Sequence, residues 1–168
     1  MVFMNMIIIS SVNNYSPDEL RCFVESLNDV GYGGTKIMLV HHDYENTIEY
    51  LKNNGWVVVR NKLYMLQHIQ RYKESSEILK NYPNQKVLFL DCRDIFFNKN
   101  PENWNLDKPL YVGADGFFPL SEHKWGRVNI LKSYPRIYNE IKNLKHLNCG
   151  VIFGDLTVMV DFLFDVFE

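Results

Sequence analysis

The sequence predicts an α/β fold: one Rossmann-like domain with a mixed, mostly parallel sheet flanked by helices. Apolar runs of strand length alternate with amphipathic runs of helix length, which is the pattern of βα units. No Gly/Ser linker, charge block or internal repeat divides the 168 residues, so we expect one domain over residues 1–168. Apolar residues make up 46% and charged residues 23%, which argues against a disordered or coiled-coil chain.

The first strand and helix have the clearest sequence signals. The run Met6–Val12 is apolar and rich in isoleucine, as expected for a strand buried on both faces. Ser16 can then cap a helix, and Glu19, three positions on, completes a capping box. Pro17 suits the first helical position, and the helix should end near Gly31.

The remaining elements follow from hydrophobic periodicity and from breaker residues. Strands are predicted at Thr35–His41, Trp56–Arg60, Lys86–Leu90, Leu110–Gly113 and Val151–Phe153. Helices are predicted at Tyr44–Asn54, Leu63–Asn81, Val128–Lys132, Arg136–Leu144 and Leu156–Phe167. Two βα units are thus complete before a long helix crosses back to the fourth strand.

Charge and cysteine content exclude several classes of partner. The net charge is −2, so no global basic field draws the chain to nucleic acid or to anionic lipid, and any anionic ligand must be held locally. Three scattered cysteines are too few for a disulfide framework. The start MVFMNMIII has no positively charged region, and its apolar run is far shorter than the roughly 20 residues that span a bilayer. We therefore expect a cytoplasmic protein without a membrane span.

Two carboxylates follow the fourth predicted strand. Asp91 and Asp94 stand three residues apart directly after KVLFL, where ligands bind in open α/β sheets. Two such carboxylates can converge on a hard divalent cation that leaves coordination positions for substrate phosphates. The alternative is that Asp91 caps the following turn and that Asp94 is solvated or paired with Arg93.

Three segments carry a resemblance to a known family. The stretches VLFLDCRDIFF, YVGADGFFP and LNCGVIFG, in this order, resemble nucleotide-sugar glycosyltransferases with the GT-A fold. The likeness is greatest to the glycosyltransferase domain of lysyl hydroxylases and to collagen galactosyltransferases, which carry a DxxD motif. It implies that Asp91 and Asp94 bind Mn²⁺ (or Mg²⁺), which bridges the diphosphate of a nucleoside-diphosphate sugar. The implied acceptor is a carbohydrate or a glycosylated molecule.

The resemblance also implies residues that bind the nucleotide. Arg93 stands where these relatives place a tyrosine against uracil, so it could stack on a base or contact phosphate, and UDP and GDP both remain open. Arg71, late in the long predicted helix, would face the donor phosphates; the alternative is a solvated surface arginine. By analogy of fold alone, the end of the first strand, from Val12 to Tyr15, would hold the base.

Catalytic roles are implied for Asp115 and Asn148. Asp115 would lie beneath the sugar and the acceptor, although Asp-Gly is also a frequent turn pair. Asn148 would face the donor sugar, and Gly150 would permit close approach of the backbone. We expect Cys149, between them, to be a small buried thiol. The five histidines form no HxxxH or HExxH pattern and receive no role.

In these relatives the chain continues beyond the helix that follows Gly154 with two further elements, which are not found in this sequence up to Glu168. These are an acidic segment ending in Gln and a strand whose histidine completes the metal site. We expect a chain cut short, a minimal enzyme with another ligand, or a degenerate binding protein. An inactive nucleotide-sugar-binding or assembly module is therefore the main alternative function. A phosphotransferase of the haloacid dehalogenase type requires DxD followed by Thr or Val, and DCRDI has the wrong spacing.

Overall fold

A computed structural model describes residues 6–167, except for the side chains of Asp115, Phe117 and Cys149. The described strands are β1 (Met6–Val12), β2 (Thr35–Val40), β3 (Val57–Arg60), β4 (Lys86–Leu90), β5 (Leu110–Pro119) and β6 (Lys145–Asp155). The described helices are α1 (Pro17–Asp29), α2 (Glu45–Asn53), α3 (Gln67–Leu79), α4 (Lys124–Ser133), α5 (Tyr138–Ile141) and α6 (Leu156–Phe167), with a 3₁₀ turn at Pro101–Asn103.

The described strands form one mixed sheet in the order β3-β2-β1-β4-β6-β5. The first four strands in this order are parallel neighbours. The amide of Leu156 at the end of β6 donates to Gln85 O at the start of β4 (2.9 Å), so these two strands are antiparallel. β5 and β6 are also antiparallel, because Asp155 N donates to Pro109 O at one end and Leu120 N to Leu144 O at the other. The predicted α/β class with a mixed, mostly parallel sheet is confirmed.

The chain folds as two compact units. One contains the residues up to Tyr111 together with those from Ile152 onwards, and the other is Val112–Val151. That residues 1–168 form a single domain stays a prediction.

The core of the larger unit is built around β1. Every residue of β1 is buried, and Ile7, Ile8 and Ile9 are fully inaccessible, as predicted for a strand covered on both faces. Phe23 of α1 is also fully inaccessible in this core, and its ring lies 5.4 Å from that of Trp56. This buried strand fixes the position of the loop that follows it.

The capping box predicted for α1 is confirmed. Glu19 N donates to Ser16 Oγ (3.4 Å), and Ser16 N donates to the Glu19 carboxylate (2.9 Å). Pro17 is the first helical residue. The chain leaves the helix through Gly31, whose φ of +71° suits glycine.

α3 is shorter than predicted, beginning at Gln67 and not at Leu63. The segment before it is held in a non-helical form by Gln70, whose Oε1 accepts from Tyr64 N (2.9 Å) and Met65 N (3.3 Å). Because those amides bond to a side chain, they do not join the helical ladder. Arg71 consequently lies in the second turn of α3 and not late in the helix.

The bounds predicted for the two strands that contribute to the unit Val112–Val151 are wrong. The last strand spans Lys145–Asp155, not Val151–Phe153 alone, and the strand before it continues to Pro119. Asp115 and Gly116 therefore lie in a strand instead of a turn, with Gly116 at φ +76°. Strand pairing between residues distant in sequence outweighs the local turn preference of Asp-Gly.

The helices of this unit also differ from their predictions. α4 begins four residues early, at Lys124, because His123 Nδ1 accepts from Gly126 N and caps it (3.0 Å). The helix predicted at Arg136–Leu144 is shorter in the structure and spans only Tyr138–Ile141, and β6 begins at Lys145. Across residues 6–167, no helix has both the length and the apolar character needed to cross a bilayer.

Candidate functional site

A polar cavity of about 400 Å³ lies at the carboxyl ends of β1 and β4. These two strands are neighbours at the point where the strand order reverses, because β2 and β3 lie on one side of β1 and β4 lies on the other. Such a switch point is where ligands bind in open α/β sheets, since the loops diverge there. The cavity is lined by Ser11, Tyr15, Gln67, His68, Arg71, Asp91, Cys92, Arg93 and Asp94.

Asp91 follows β4 immediately and reaches the cavity with a side chain that is 43% exposed. Its Oδ1 accepts a close, charged hydrogen bond from Nη1 of Arg71. Its Oδ2 makes no hydrogen bond with any described residue, so this oxygen is available to a ligand. Asp94, also on the cavity wall, is exposed.

Arg71 is a buried arginine and not a solvated one. Its residue exposure is 9%, and its guanidinium lies over the rings of Tyr72 and Phe89, 5.2 and 5.0 Å from their centroids. Burial by itself lowers the pKa of Arg71, but the Asp91 carboxylate and the Tyr72 hydroxyl outweigh it, and the net shift is upward. Arg71 is thus a fixed positive charge that holds one oxygen of Asp91 in place.

Arg93 and Tyr15 meet at the rim of the cavity. The guanidinium of Arg93 lies 5.4 Å from the centroid of the Tyr15 ring, so the two groups form a cation–π contact. The alternative considered from the sequence, an ion pair between Arg93 and Asp94, is not found among the described contacts. Two residues predicted separately to bind nucleotide are therefore adjacent.

Val12 and Cys92 contribute less to the cavity than the other residues. The Val12 side chain is fully buried in β1 and its carbonyl accepts from His41 N (3.0 Å), so it is absent from the cavity lining. Burial raises the pKa of the Cys92 thiol to about 12, and its Sγ donates to Ser11 O (3.3 Å). A thiol in this state is inert as a nucleophile near neutral pH.

Sequence reasoning missed Ser11, Gln67 and His68. Gln67 Nε2 donates to Ser11 Oγ (3.1 Å), which joins the first turn of α3 to the end of β1. The available signal for Ser11 was a polar residue near the end of an otherwise apolar strand. Gln67 and His68 gave no signal, because the predicted helix started four residues too early and placed them in its interior.

The donor set suits a divalent cation that takes its remaining ligands from substrate and water. Asp91 Oδ2 and the Asp94 carboxylate are hard oxygen donors in one cavity, the type that Mn²⁺ and Mg²⁺ prefer. Among the side chains that the structure describes, no group of three or more His, Cys, Asp and Glu could hold an ion unaided. The metal role of both aspartates stays a prediction.

The remaining predicted site residues belong to the unit Val112–Val151. The side chain of Asp115 lies outside the described part of the chain. Asn148 Oδ1 accepts from Gly150 N (2.6 Å), so the Asn148 side chain braces the strand at a buried glycine. The catalytic roles of Asp115 and Asn148 and the role of Gly150 at the donor sugar stay predictions.

The fold is that of GT-A glycosyltransferases, as comparison with solved structures shows. Galactosyltransferase LgtC in complex with donor and acceptor sugar analogues is similar at a TM-score of 0.56 and 15% identity, over 97% of this chain and 66% of that one. Glucosyl-3-phosphoglycerate synthase from Mycobacterium tuberculosis, in complex with Mn²⁺, UDP and glucosyl-3-phosphoglycerate, gives a TM-score of 0.55 and 13% identity, over 98% and 65%.

A third structure adds a further enzyme with this fold. Mannosyl-3-phosphoglycerate synthase from Rubrobacter xylanophilus matches at a TM-score of 0.58 and 10% identity, over 98% of this chain and 63% of that one. The chain thus spans just under two thirds of the length of these enzymes. In sequence, no protein-family model matches the chain. No curated protein matches it either.

Proposed function

We infer that this protein is a metal-dependent glycosyltransferase that moves a sugar from a nucleoside-diphosphate sugar to a carbohydrate or a glycosylated acceptor. The supporting observation is the position of the DxxD carboxylates, Asp91 and Asp94, in one cavity at the switch point of a GT-A-type sheet. The DxxD spacing is the reason for relating the site to the glycosyltransferase domains of lysyl hydroxylases and to collagen galactosyltransferases.

Asp91 and Asp94 would hold Mn²⁺ or Mg²⁺ in this cavity. The cation, when bound, neutralises the charge that develops on the departing nucleoside diphosphate. Arg71 fixes Asp91 through Oδ1, and Oδ2 has no hydrogen bond to a described residue. Carboxylates that bind metals are commonly oriented in this way, by a hydrogen bond from a second group to one of their oxygens.

Tyr15 and Arg93 would bind the base of the donor. Their flat groups already lie against each other at the rim, and either could accept a uracil or guanine ring by stacking. Val12 can take part only through its backbone, because its side chain is buried. The polar groups of Gln67 and His68 lie in the first turn of α3, where the helix dipole favours phosphate.

The sugar and the acceptor would be handled by Asp115 and Asn148. Asp115 is proposed to lie beneath the transferred sugar, and Asn148 to hydrogen-bond to it, with Gly150 allowing close approach of the backbone. These roles come from the resemblance of ADGFFP and LNCGVIFG to the corresponding family segments.

An inactive nucleotide-sugar-binding module is the second candidate. Two observations favour it: Asp91 is paired with Arg71, and the described residues supply no third acidic, histidine or cysteine ligand. Such a module would bind nucleotide by the same groups but would not transfer the sugar.

Calorimetry followed by a turnover assay separates the candidates. UDP and GDP are titrated with and without Mn²⁺, and release of sugar from UDP- and GDP-sugars is then measured. We expect Mn²⁺-dependent binding of one nucleotide and slow hydrolysis of its sugar conjugate. Binding without hydrolysis supports the module, and absence of binding to both nucleotides contradicts both candidates.

Asp94→Asn, compared with Asp165→Asn, tests the site itself. Both variants remove one exposed carboxylate, but Asp165 lies in α6 and outside the cavity. We expect Asp94→Asn to abolish Mn²⁺-dependent affinity and Asp165→Asn to leave it unchanged. Equal affinities in the two variants would remove Asp94 from the metal site.

A further inference from the structure

Helix α4 has two faces of different character. One face lines an apolar cavity of about 390 Å³ within the unit Val112–Val151, and its residues there are Trp125, Gly126, Asn129, Ile130 and Ser133. At 3.6 residues per turn, the side chains on the opposite face are those of Lys124, Arg127, Val128, Leu131 and Lys132. All five are exposed. We call these five residues the outward face of α4.

The outward face is basic and has no acidic residue. Its charged members are Lys124, Arg127 and Lys132. The unit Val112–Val151 as a whole holds six Lys and Arg against three Asp and Glu, a net charge of +3. Because the complete chain carries −2, the rest of it carries −5. Positive charge is therefore concentrated on this unit, which favours an anionic partner.

Apolar side chains are exposed next to these charges. Val128 and Leu131 on the outward face are 53% and 43% exposed, and Trp125 at its edge is 69% exposed. Basic and apolar side chains that are exposed side by side on one helix face can contact the phosphates and the acyl chains of an anionic lipid surface together, because Lys and Arg reach the headgroups with their charged ends. A nucleic acid backbone would use the charges but would leave these apolar groups without a partner.

We propose that the outward face of α4 docks on an anionic phospholipid surface. Val128, Leu131 and Trp125 enter the boundary between headgroups and acyl chains. Lys124, Arg127 and Lys132 lie against the lipid phosphates. The helix rests on the surface and does not cross it. This docking is separate from the nucleotide cavity, so it stands or falls independently of the proposed function.

Vesicle co-sedimentation of the full chain at low salt tests the charges. Vesicles of phosphatidylglycerol and phosphatidylcholine are compared with vesicles of phosphatidylcholine alone, and we expect sedimentation with the anionic vesicles only. The combined variant Lys124→Gln, Arg127→Gln, Lys132→Gln should have a vesicle partition coefficient about tenfold or more below that of the wild type. A matched control, Lys52→Gln, Lys62→Gln, Lys99→Gln, removes three exposed charges from the other unit and should change it less than about twofold.

The apolar contribution needs a separate variant. Val128→Gln with Leu131→Gln keeps every charge, and we expect it to weaken vesicle binding by roughly tenfold as well. Quenching of Trp125 fluorescence by lipids brominated on their acyl chains should occur in the wild type and disappear in Trp125→Phe. Circular dichroism melts of each variant check that the fold is retained.

Three results would overturn the proposal. The first is absence of sedimentation with anionic vesicles. The second is an equal loss in the matched lysine control, which would show a response to total charge alone. The third is unchanged binding of the Val128/Leu131 variant together with displacement by double-stranded DNA, which would show a general polyanion surface and no lipid docking.

Discussion

Asp91 bonds to a buried arginine through one carboxylate oxygen, while its other oxygen has no hydrogen bond to a described residue, and this difference is the basis of the candidate site. Arg71 is held by two aromatic rings and by Tyr72 Oη, so its position is fixed before any ligand arrives. The Asp91 carboxylate, bonded to this fixed guanidinium through Oδ1, therefore has a defined orientation. The second oxygen can therefore approach a cation without a change of side-chain rotamer.

Replacement of Arg71 should reduce metal-dependent affinity more than it reduces stability. We expect Arg71→Lys to weaken Mn²⁺-dependent nucleotide binding by roughly tenfold, because lysine keeps the charge but loses the planar, two-pronged donor. Arg71→Met should weaken it further. Calorimetric affinities are compared with thermal melts, and a fall in melting temperature with unchanged Mn²⁺-dependent affinity would assign Arg71 a purely structural role.

The Cys92 thiol should be unreactive in the folded protein. Burial raises its pKa to about 12, so almost no thiolate forms at pH 8. In a Cys22→Ser, Cys149→Ser background, a chromogenic disulfide reagent should modify no thiol until denaturant is added. Rapid modification of the native protein at pH 8 would show that Cys92 is exposed to solvent.

At the scale of elements, β4 positions both carboxylates, and its burial makes it sensitive to charge. Leu88 is fully inaccessible in β4, and an unpaired buried carboxylate costs several kcal/mol out of a total stability of about 5–15 kcal/mol. Leu88→Asp should therefore abolish the cooperative thermal transition. Leu66→Asp, at a highly exposed position before α3, is the control and should melt near the wild-type temperature. A cooperative transition of Leu88→Asp at that temperature would contradict the buried strand.

A buried network ties α3 to the sheet. His41 Nε2 lies 2.6 Å from Glu74 Oε2, and Gln70 Nε2 donates to Glu74 Oε1 (2.7 Å). Burial raises the pKa of Glu74, but hydrogen bonds from His41 and Gln70 outweigh it, so the net shift is below the usual 4.5. Gln70 also bonds the segment before α3, so Glu74 helps to hold the helix start that lines the cavity.

The lowered pKa of Glu74 predicts a loss of stability in acid. A depressed carboxyl pKa stabilises the fold above the unfolded-state value, and this contribution is lost as the pH falls below about 4.5 and through the folded pKa. Glu74→Gln should be less stable than wild type at pH 7 and should show a weaker dependence on pH in that acid range. Urea unfolding between pH 3 and 7 measures both, and parallel pH profiles would contradict the assignment.

At the scale of the whole molecule, the sequence predicts the parallel half of the sheet well and the antiparallel half poorly. β1 and β4 are uniform apolar runs whose bounds follow from local pattern, and the capping box at Ser16 marks α1. β6 contains Lys145, His146 and Asn148, and it is a strand because it pairs with residues distant in sequence. Its extent therefore depends on tertiary pairing that no local window contains.

The candidate site, like the sheet, was predictable only where a local sequence pattern marks its residues. Asp91 and Asp94 could be found because they follow an apolar strand at a spacing that suits a cation. The Arg71–Asp91 pair joins residues 20 positions apart on different elements, and no spacing rule gives it. Ser11 and Gln67 likewise meet only after the β3–α3 crossover returns the chain to β1.

A crystal of the protein soaked with Mn²⁺ and UDP or GDP would show through the anomalous signal of manganese whether Asp91 and Asp94 hold the cation. We expect one manganese peak in the cavity, bonded to carboxylate oxygens of Asp91 and Asp94 and to the diphosphate, with Arg71 still bonded to Asp91 Oδ1. A nucleotide bound without manganese at these residues, or an empty cavity at saturating nucleotide, would contradict it.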